Sequence, residues 1–187
     1  ENYDCKIHSI DRKEFNHGNT REVSRNLINS DITVFLTQDA IPKDDSLIEK
    51  LIKPIIDGSS DVSYGRQLPR RGAGLIEAFQ REFNYDENSL IKSKLSLEEH
   101  GVFTFFCSNS CAAWKNDALD LIGGFKPTLT NEDYITCAEL VLNGFKVSYV
   151  PNAMVYHSHD YSLWQEFKRM FDSGYVRAER PWLDIES

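Results

Sequence analysis

The segment Asp31–Pro42 (DITVFLTQDAIP) contains a mostly apolar run that ends on the polar residues Thr37-Gln38-Asp39 and a turn. A short apolar run bounded by turn signals predicts a buried strand. In open α/β sheets, ligands bind outside the carboxyl ends of strands. Asp39 is therefore the first candidate functional residue, although a polar turn residue after a strand would give the same pattern.

Strand signals and helical periodicity alternate along the chain, which predicts an α/β fold with a mixed but mainly parallel sheet flanked by helices. The predicted strands span residues 5–10, 32–36, 61–68, 102–109, 146–150 and 153–156. The predicted helices span residues 20–29, 44–55, 72–83, 116–122, 130–143 and 162–171. We expect Pro54 to bend or shorten the second helix.

With 187 residues, 41% of them hydrophobic, residues 1–187 are expected to form a single domain.

The composition excludes some classes of function. A formal charge of −8 and a pI near 5.1 argue against nucleic-acid binding, because the phosphates would be repelled. No apolar run approaches the ~20 residues that span a bilayer, so we expect a soluble, cytoplasmic protein. Cys5, Cys107, Cys111 and Cys137 lack a disulfide-rich setting and are expected to be reduced thiols; a zinc pair of Cys107 and Cys111 is the alternative.

The polar cluster Phe15–Arg21 (FNHGNTR) precedes the first predicted helix. It places Gly18 and Arg21 at a helix N-terminus, where free backbone N–H groups and the helix dipole favour an anion such as a diphosphate. Asn16 and His17 belong to the same cluster. An ordinary glycine-containing turn explains this pattern equally well.

A second cluster, Asn131–Tyr134 (NEDY), opens the clearest predicted helix. The spacing of Thr130 and Asp133 is that of a capping box. The same position suits a general base, because a carboxylate at a helix N-terminus is held in one orientation and kept ionised. Both roles for Asp133 remain open.

His157 and His159 lie two positions apart, so they share a face if the segment is extended. One of them could join Asp39 around a divalent cation, Mn²⁺ or Mg²⁺, that bridges to a substrate diphosphate. The alternative is that these histidines are solvated or have their hydrogen bonds satisfied in the core.

Five ordered groups of motifs cover essentially the whole chain. They are FNHGNTR, VFLTQDAIP, FFCSNSCAAW with IGGF, NEDY, and VYHSH followed by SLWQEFKRMF. This set resembles the inverting glycosyltransferases of family two, which have the Rossmann-like GT-A fold. In detail it resembles bacterial rhamnosyltransferases that build surface polysaccharides from dTDP-rhamnose.

The resemblance implies a metal site. Thr37-Gln38-Asp39 corresponds to the DxD motif of the family, with Asp39 as its last carboxylate and Thr37 in place of the first. His157 matches the histidine that completes the metal shell in related enzymes. Because Thr37 carries no charge, we expect a cation to be held weakly by the protein alone.

The resemblance also assigns roles in catalysis and binding. Glu132-Asp133 matches the ED motif, whose Asp133 is the expected general base. The donor diphosphate side would be formed by Asn16, His17, Gly18, Arg21, Gln38 and Asp39. The acceptor side would be formed by Asn109, Trp114, Gly124 and Phe125.

The implied function is transfer of a sugar, with inversion, from a nucleotide-sugar donor to an oligosaccharide or polyprenyl-linked acceptor at the cytoplasmic face of the plasma membrane. The final helix, with Trp164, Phe167 and Phe171 beside basic residues, predicts either peripheral membrane contact or core packing. Family members open with a nucleotide-binding unit that nothing before Glu1 supplies, so we expect an N-terminally truncated domain with a sheet edge that favours self-association.

Two other functions fit parts of the pattern. A noncatalytic, degenerate transferase domain that binds a sugar or a partner is favoured by Thr37 in the metal motif. It is opposed by the retention of Asp39, Asp133 and His157 together. A metal-dependent phosphate-ester hydrolase would use similar residues, but the chain has no second cluster of carboxylates for a two-metal site.

Overall fold

The computed structural model describes residues 5–183, in which helices and strands alternate. The helices are α1 (His17–Asn26), α2 (Leu47–Ile56), α3 (Leu75–Asn84), α4 (Leu97–His100), α5 (Asn116–Ile122), α6 (Glu132–Leu142) and α7 (Leu163–Ala178). The strands are β1 (Ile32–Leu36), β2 (Ile41–Pro42), β3 (Val62–Leu68), β4 (Leu90–Lys92), β5 (Cys111–Lys115) and β6 (Val147–Tyr156).

The sheet has the strand order β1-β5-β3-β6-β2, with β4 also paired to β6. The mixed α/β class is confirmed, but the sheet is not mainly parallel: β3–β6 is the one parallel pair among the described strands. The reason is that β5 lies between β1 and β3 and runs opposite to both. Strands β1, β3 and β6 consequently point the same way, so their carboxyl ends meet at one edge of the sheet.

The core lies on both faces of the sheet because successive side chains of a strand point to opposite sides. In β5, Ala112 and Trp114 face the larger cluster, which includes buried residues of α5 and α6. Cys111 and Ala113 face the smaller cluster formed with α2. Two layers of helices therefore hold the sheet in place and fix the edge where its parallel strands end.

Four predicted strands differ from the structure. Residues 5–10 have no regular secondary structure, and residues 102–109 form a 3₁₀ helix over Gly101–Phe105 followed by an irregular segment. Residues 146–150 and 153–156 belong to the single strand β6, whose register shifts opposite Gly65 and Arg66. Pro151 lies at this shift. Its missing N–H group therefore removes no hydrogen bond from the regular pairing of the strands.

The predicted helix ends are confirmed in part: α5 ends at Ile122 as predicted, whereas α7 continues to Ala178 rather than ending at residue 171, and Ser46, not Asp44 or Asp45, is the N-cap of α2. Ser162 caps α7 by accepting a hydrogen bond from the Gln165 N–H at 3.3 Å. Gly123, at φ 75°, ends α5 in the left-handed conformation. Pro54 lies in the last turn of α2, which continues to Ile56, so this proline does not shorten the helix as expected.

Strand β1 forms one end of the strand order. Within residues 5–183, no helix combines the length and the apolar character needed to cross a bilayer.

We predict that Gly65→Ala destabilises the protein by about 1–3 kcal/mol or more. A Cβ at position 65 would overlap the carbonyl oxygen of Ala153 and the Sγ atom of Cys111. Gly174→Ala is the matched control, because a Cβ there meets nothing within 4 Å, and it should stabilise α7 by up to about 1 kcal/mol. Urea unfolding measures both; equal stability of the two variants would contradict the packing described at Gly65.

Candidate active site

The residues that follow β1 and β6, the segment before β5, helix α1 and the start of α6 surround a cavity of about 270 Å³. Its lining residues are His17, Arg21, Thr37, Asn109, Ser110, Thr130, Asn131, Glu132, Asp133 and His159. Two buried polar atoms of this lining, Thr37 Oγ1 and Asn131 Nδ2, have no hydrogen-bond partner in the described part of the chain. A buried polar group without a partner is costly, so these atoms indicate a place for a polar ligand.

Asp39 lies beside both histidines of the VYHSH motif. Its Oδ1 atom is 3.3 Å from His157 Nε2, and its Oδ2 atom is 3.7 Å from His159 Nδ1. One ligand atom from each residue lies within 4.8 Å of the others, so Asp39, His157 and His159 form a candidate cation site. The sequence prediction named Asp39 and His157; the contact of His159 with the carboxylate places it in the same group.

Asp133 lies at the first turn of α6 and accepts two backbone hydrogen bonds. Its Oδ2 atom accepts from the Asn109 N–H at 2.9 Å, and its Oδ1 atom accepts from the Tyr134 N–H at 2.8 Å. Desolvation, together with the charge of neighbouring Glu132, raises the pKa of Asp133 to about 7. The predicted capping box is not formed, because Asn131 is the N-cap and has φ 59°.

Glu132 is buried and contacts two polar side chains. Its Oε1 atom accepts a hydrogen bond from Asn109 Nδ2 at 3.2 Å and lies 3.6 Å from Arg21 Nε. Asp133 and Glu132 therefore face the same cavity, while Arg21 supplies a positive charge between α1 and α6.

The family description "Glycosyltransferase like family 2" matches residues 10–175 of the chain. The chain belongs to this glycosyltransferase family.

Two relatives come from Salmonella. The "O-antigen chain rhamnosyltransferase RfbN" of Salmonella typhimurium (strain LT2) is 39% identical over 179 residues, covering 95% of this chain and 57% of the relative. The "O-antigen chain rhamnosyltransferase WbaN" of Salmonella anatum is 39% identical over 183 residues, covering 97% and 58%. The chain thus spans a little over half the length of these relatives.

Solved structures resemble the fold at low sequence identity. Staphylococcus aureus TarS 1-349 has a TM-score of 0.58 at 15% identity, covering 91% of this chain and 47% of TarS. The mannosyltransferase PcManGT of Pyrobaculum calidifontis, solved with GDP-Man and Mn²⁺, also has a TM-score of 0.58 at 15% identity, covering 95% and 53%. These likenesses confirm the GT-A fold.

In this family 2 domain, Gln67 sets the proton position on His157. Gln67 Nε2 donates to Ser108 Oγ at 2.8 Å, so its Oε1 atom faces His157 Nδ1, also at 2.8 Å. Nδ1 must then carry the proton, which leaves the Nε2 lone pair directed at Asp39. Burial lowers the pKa of His157 to about 4, so the ring is neutral at pH 7.

Two arginines near this group were not singled out from the sequence. Arg70 Nη2 lies 3.2 Å from Asp39 Oδ2, and Arg81 Nε donates to the His157 carbonyl oxygen at 2.8 Å. Burial raises the pKa of Asp39, but the surrounding polar groups lower it more, so this carboxylate is ionised. Arg70 could have been found, because it follows β3, whose carboxyl end lies at the same edge.

The structure corrects three of the four predicted acceptor-side residues. Trp114 is 0% and Phe125 2% exposed, and their rings pack against each other with centroids 5.1 Å apart. Gly124, at φ 72°, packs against the Glu22 carboxylate. These residues belong to the core and cannot contact a substrate. Asn109 does line the cavity, and Trp114 holds it through an Nε1–H donated to Asn109 Oδ1 at 2.8 Å.

The predicted donor-side cluster is divided by the structure. His17 and Arg21 line the cavity, whereas Asn16 caps α1 and accepts hydrogen bonds from the Asn19 and Thr128 backbones at 3.0 Å. Gly18 is buried, and a Cβ there would overlap the Lys126 carbonyl oxygen, so its role is close packing. Gln38 is exposed in the turn after β1 and lies outside the cavity lining.

We predict that His157 stays neutral, with its proton on Nδ1, down to about pH 5. Its folded pKa of about 4 lies below the usual 6.5, so the folded state binds fewer protons than the unfolded state between these values and loses stability as pH falls through them. Imidazole ¹⁵N NMR measures the titration, with His157→Gln to assign the signal. A midpoint near 6.5 would contradict the buried hydrogen-bonded ring.

Proposed function

We propose that this domain belongs to an inverting glycosyltransferase that transfers rhamnose from dTDP-rhamnose to a saccharide or lipid-linked acceptor in surface polysaccharide synthesis. The observation that carries the proposal is a polar cavity lined by both Asp133 and His159, where His159 contacts Asp39 beside His157. The 39% identity to two O-antigen rhamnosyltransferases supports rhamnose as the transferred sugar.

Asp133 is proposed as the general base. The pKa of Asp133, about 7, lies near the operating pH. A base with such a pKa is partly deprotonated and still takes up a proton efficiently. Asp133 removes the proton of the acceptor hydroxyl while the hydroxyl oxygen bonds to the anomeric carbon. The bond from that carbon to the diphosphate oxygen breaks in the same displacement, which inverts the configuration. Glu132 keeps the proton affinity of Asp133 high through its negative charge.

The Asp39–His157–His159 group fits a divalent cation, Mn²⁺ or Mg²⁺, because it combines an ionised carboxylate with a neutral imidazole whose lone pair is free. Such a cation, when bound, offsets the negative charge that develops on the leaving nucleoside diphosphate. Without the cation, Arg70 already neutralises part of the Asp39 charge.

The donor side is proposed to comprise His17, Arg21, Asp39 and the neighbouring arginine Arg70. Arg21 lies near Glu132, and its guanidinium stacks over Phe35 with Cζ 4.8 Å from the ring centroid. These two contacts hold the Arg21 side chain at the cavity. Asn16 and Gly18 are proposed to act by fixing α1, and Gln38 to reach the donor from the turn after β1.

Peripheral contact with the cytoplasmic membrane face is part of the proposal. Trp164, Phe167 and Phe171 are 57–64% exposed along α7, and Lys168 lies over the Trp164 ring at 5.4 Å. Aromatic residues beside basic ones favour the interface of an anionic bilayer. These side chains are exposed and do not pack in the core, which was the alternative expected from the sequence.

We predict that Asp133→Asn lowers the transfer rate by about 100-fold or more and leaves dTDP affinity nearly unchanged. The amide keeps the size of the side chain but cannot take the proton. In the wild type, the rate should fall as pH drops below about 7, because Asp133 becomes protonated. Radiolabelled transfer assays on the full-length protein measure both effects.

The matched control is Asp45→Asn, an exposed carboxylate in the turn before α2, which should retain wild-type transfer. Unchanged transfer in Asp133→Asn would contradict the assignment of the base and favour the noncatalytic binding module.

We predict that dTDP and Mn²⁺ bind cooperatively and that His157→Ala reduces this coupling. Loss of a metal ligand or of its hydrogen-bonded support lowers metal affinity by about 10–100-fold. Calorimetry on the full-length protein would measure dTDP affinity with and without Mn²⁺, using the exposed His8→Ala as the control. Equal coupling in His157→Ala and His8→Ala would contradict the cation site.

A further inference from the structure

A second cavity, of about 460 Å³, opens on the other side of residues 106–110 from the candidate active site. Strands β3, β4 and β6 form its floor, and the end of α3 and the 3₁₀ helix Gly101–Phe105 form its walls. Its lining residues are Tyr64, Phe83, Asn84, Asp86, Asn88, Ser89, Leu90, Lys92, His100, Phe103, Phe106 and Tyr149. None of these residues lines the cavity at Asp133, so the two are separate.

Lys92 places a buried ammonium group in this cavity. Its side chain is 2% exposed, and Nζ donates to Tyr64 Oη at 3.1 Å and to the Phe106 carbonyl oxygen. Within residues 5–183, no carboxylate lies within ion-pair distance of Lys92. An ammonium group has three donors, and a buried charge without full hydrogen bonding is unfavourable. A ligand oxygen at Nζ would satisfy the remaining donor.

Aromatic rings form much of the remaining surface. Phe83 and Phe103 are 67% and 59% exposed although they line a concave site, and Tyr64 and Tyr149 lie beneath with ring centroids 5.1 Å apart. Asn84, Asn88 and other polar residues lie around them. A pyranose ring has one face of C–H groups and a rim of hydroxyl groups, so it can contact the rings and the polar groups at once.

Other ligands match less of this surface. An acyl or prenyl chain would cover the polar side chains of Asn84, Asp86 and Asn88 without a hydrogen bond and would leave the third donor of Lys92 without a partner. A diphosphate would meet the Asp86 carboxylate with Lys92 as the one lysine or arginine in the lining. A neutral saccharide avoids both costs.

We propose that this cavity binds a pyranose residue of the saccharide acceptor other than the sugar that reacts, with its ring against Phe83 and Phe103 and a hydroxyl oxygen on Lys92 Nζ. The proposal rests on the proposed transferase function for the identity of the saccharide. Phe106 lines this cavity while Asn109 and Ser110 line the active-site cavity, so one short segment separates the two. Binding of a nonreacting sugar would help to hold the reacting hydroxyl at Asp133.

Protein-observed NMR on the full-length protein, without donor, tests the proposal with methyl rhamnopyranoside, mannopyranoside and galactopyranoside as probes. We expect at least one probe to shift the ring signals of Phe83 and Phe103 in the millimolar range. Phe103→Ala and Lys92→Met should each weaken its binding by about tenfold. Tyr175→Ala, which removes an exposed ring on α7, is the control and should bind as the wild type does.

The proposal is overturned if no probe shifts these signals, or if Phe103→Ala binds the probe as tightly as Tyr175→Ala. Phe103 is exposed, so its variant tests the cavity even if Lys92→Met fails to fold. Binding without donor is independent of catalysis. Sugar binding here together with full transfer in Asp133→Asn would contradict the proposed function and leave this proposal standing. Transfer that depends on Asp133, without sugar binding in this cavity, would support the proposed function and overturn the proposal of a sugar site here.

Discussion

The hydrogen bonds of Asn109 join the core of the domain to its acidic residues. The side chain accepts from the buried Trp114 indole and donates to Glu132, and the backbone N–H donates to Asp133. Trp114 is fixed by packing against Phe125, so the position of the carboxylates at α6 is set by the interior of the protein. Trp114 and Phe125, which were expected to contact an acceptor, are instead buried and support Asn109 from the core.

Two carboxylates of the site differ in their protonation because their surroundings differ. Desolvation and the charge of Glu132 raise the pKa of Asp133, whereas polar and charged neighbours keep the pKa of Asp39 low. Groups whose pKa values are pushed apart in one site are suited to different tasks. Asp133 can exchange a proton near neutral pH, and Asp39 remains an anion beside the neutral His157.

The sequence predicted the elements whose pattern is local. The strand before Asp39 and the helix after Glu132 have clear periodicities, and both form nearly as predicted. The strand predicted at residues 102–109 is wrong, because an apolar run fits a strand and a 3₁₀ helix equally well. Gly18 was interpreted as part of an anion site, but its contact with Lys126 comes from tertiary packing. The burial of Lys92 likewise depends on strands distant in sequence, so no local pattern could reveal it.

We propose that the edge formed by β1, β3 and β6 holds a nucleotide diphosphate at Asp39 and His157. A crystal structure of the full-length protein with Mn²⁺ and dTDP, recorded with anomalous scattering from manganese, tests it most directly. The account predicts an anomalous peak at about 2.0–2.3 Å from an Asp39 oxygen and from His157 Nε2, with diphosphate oxygens completing the shell. A nucleotide bound elsewhere, or bound at this edge with no metal at Asp39 and His157, would contradict it.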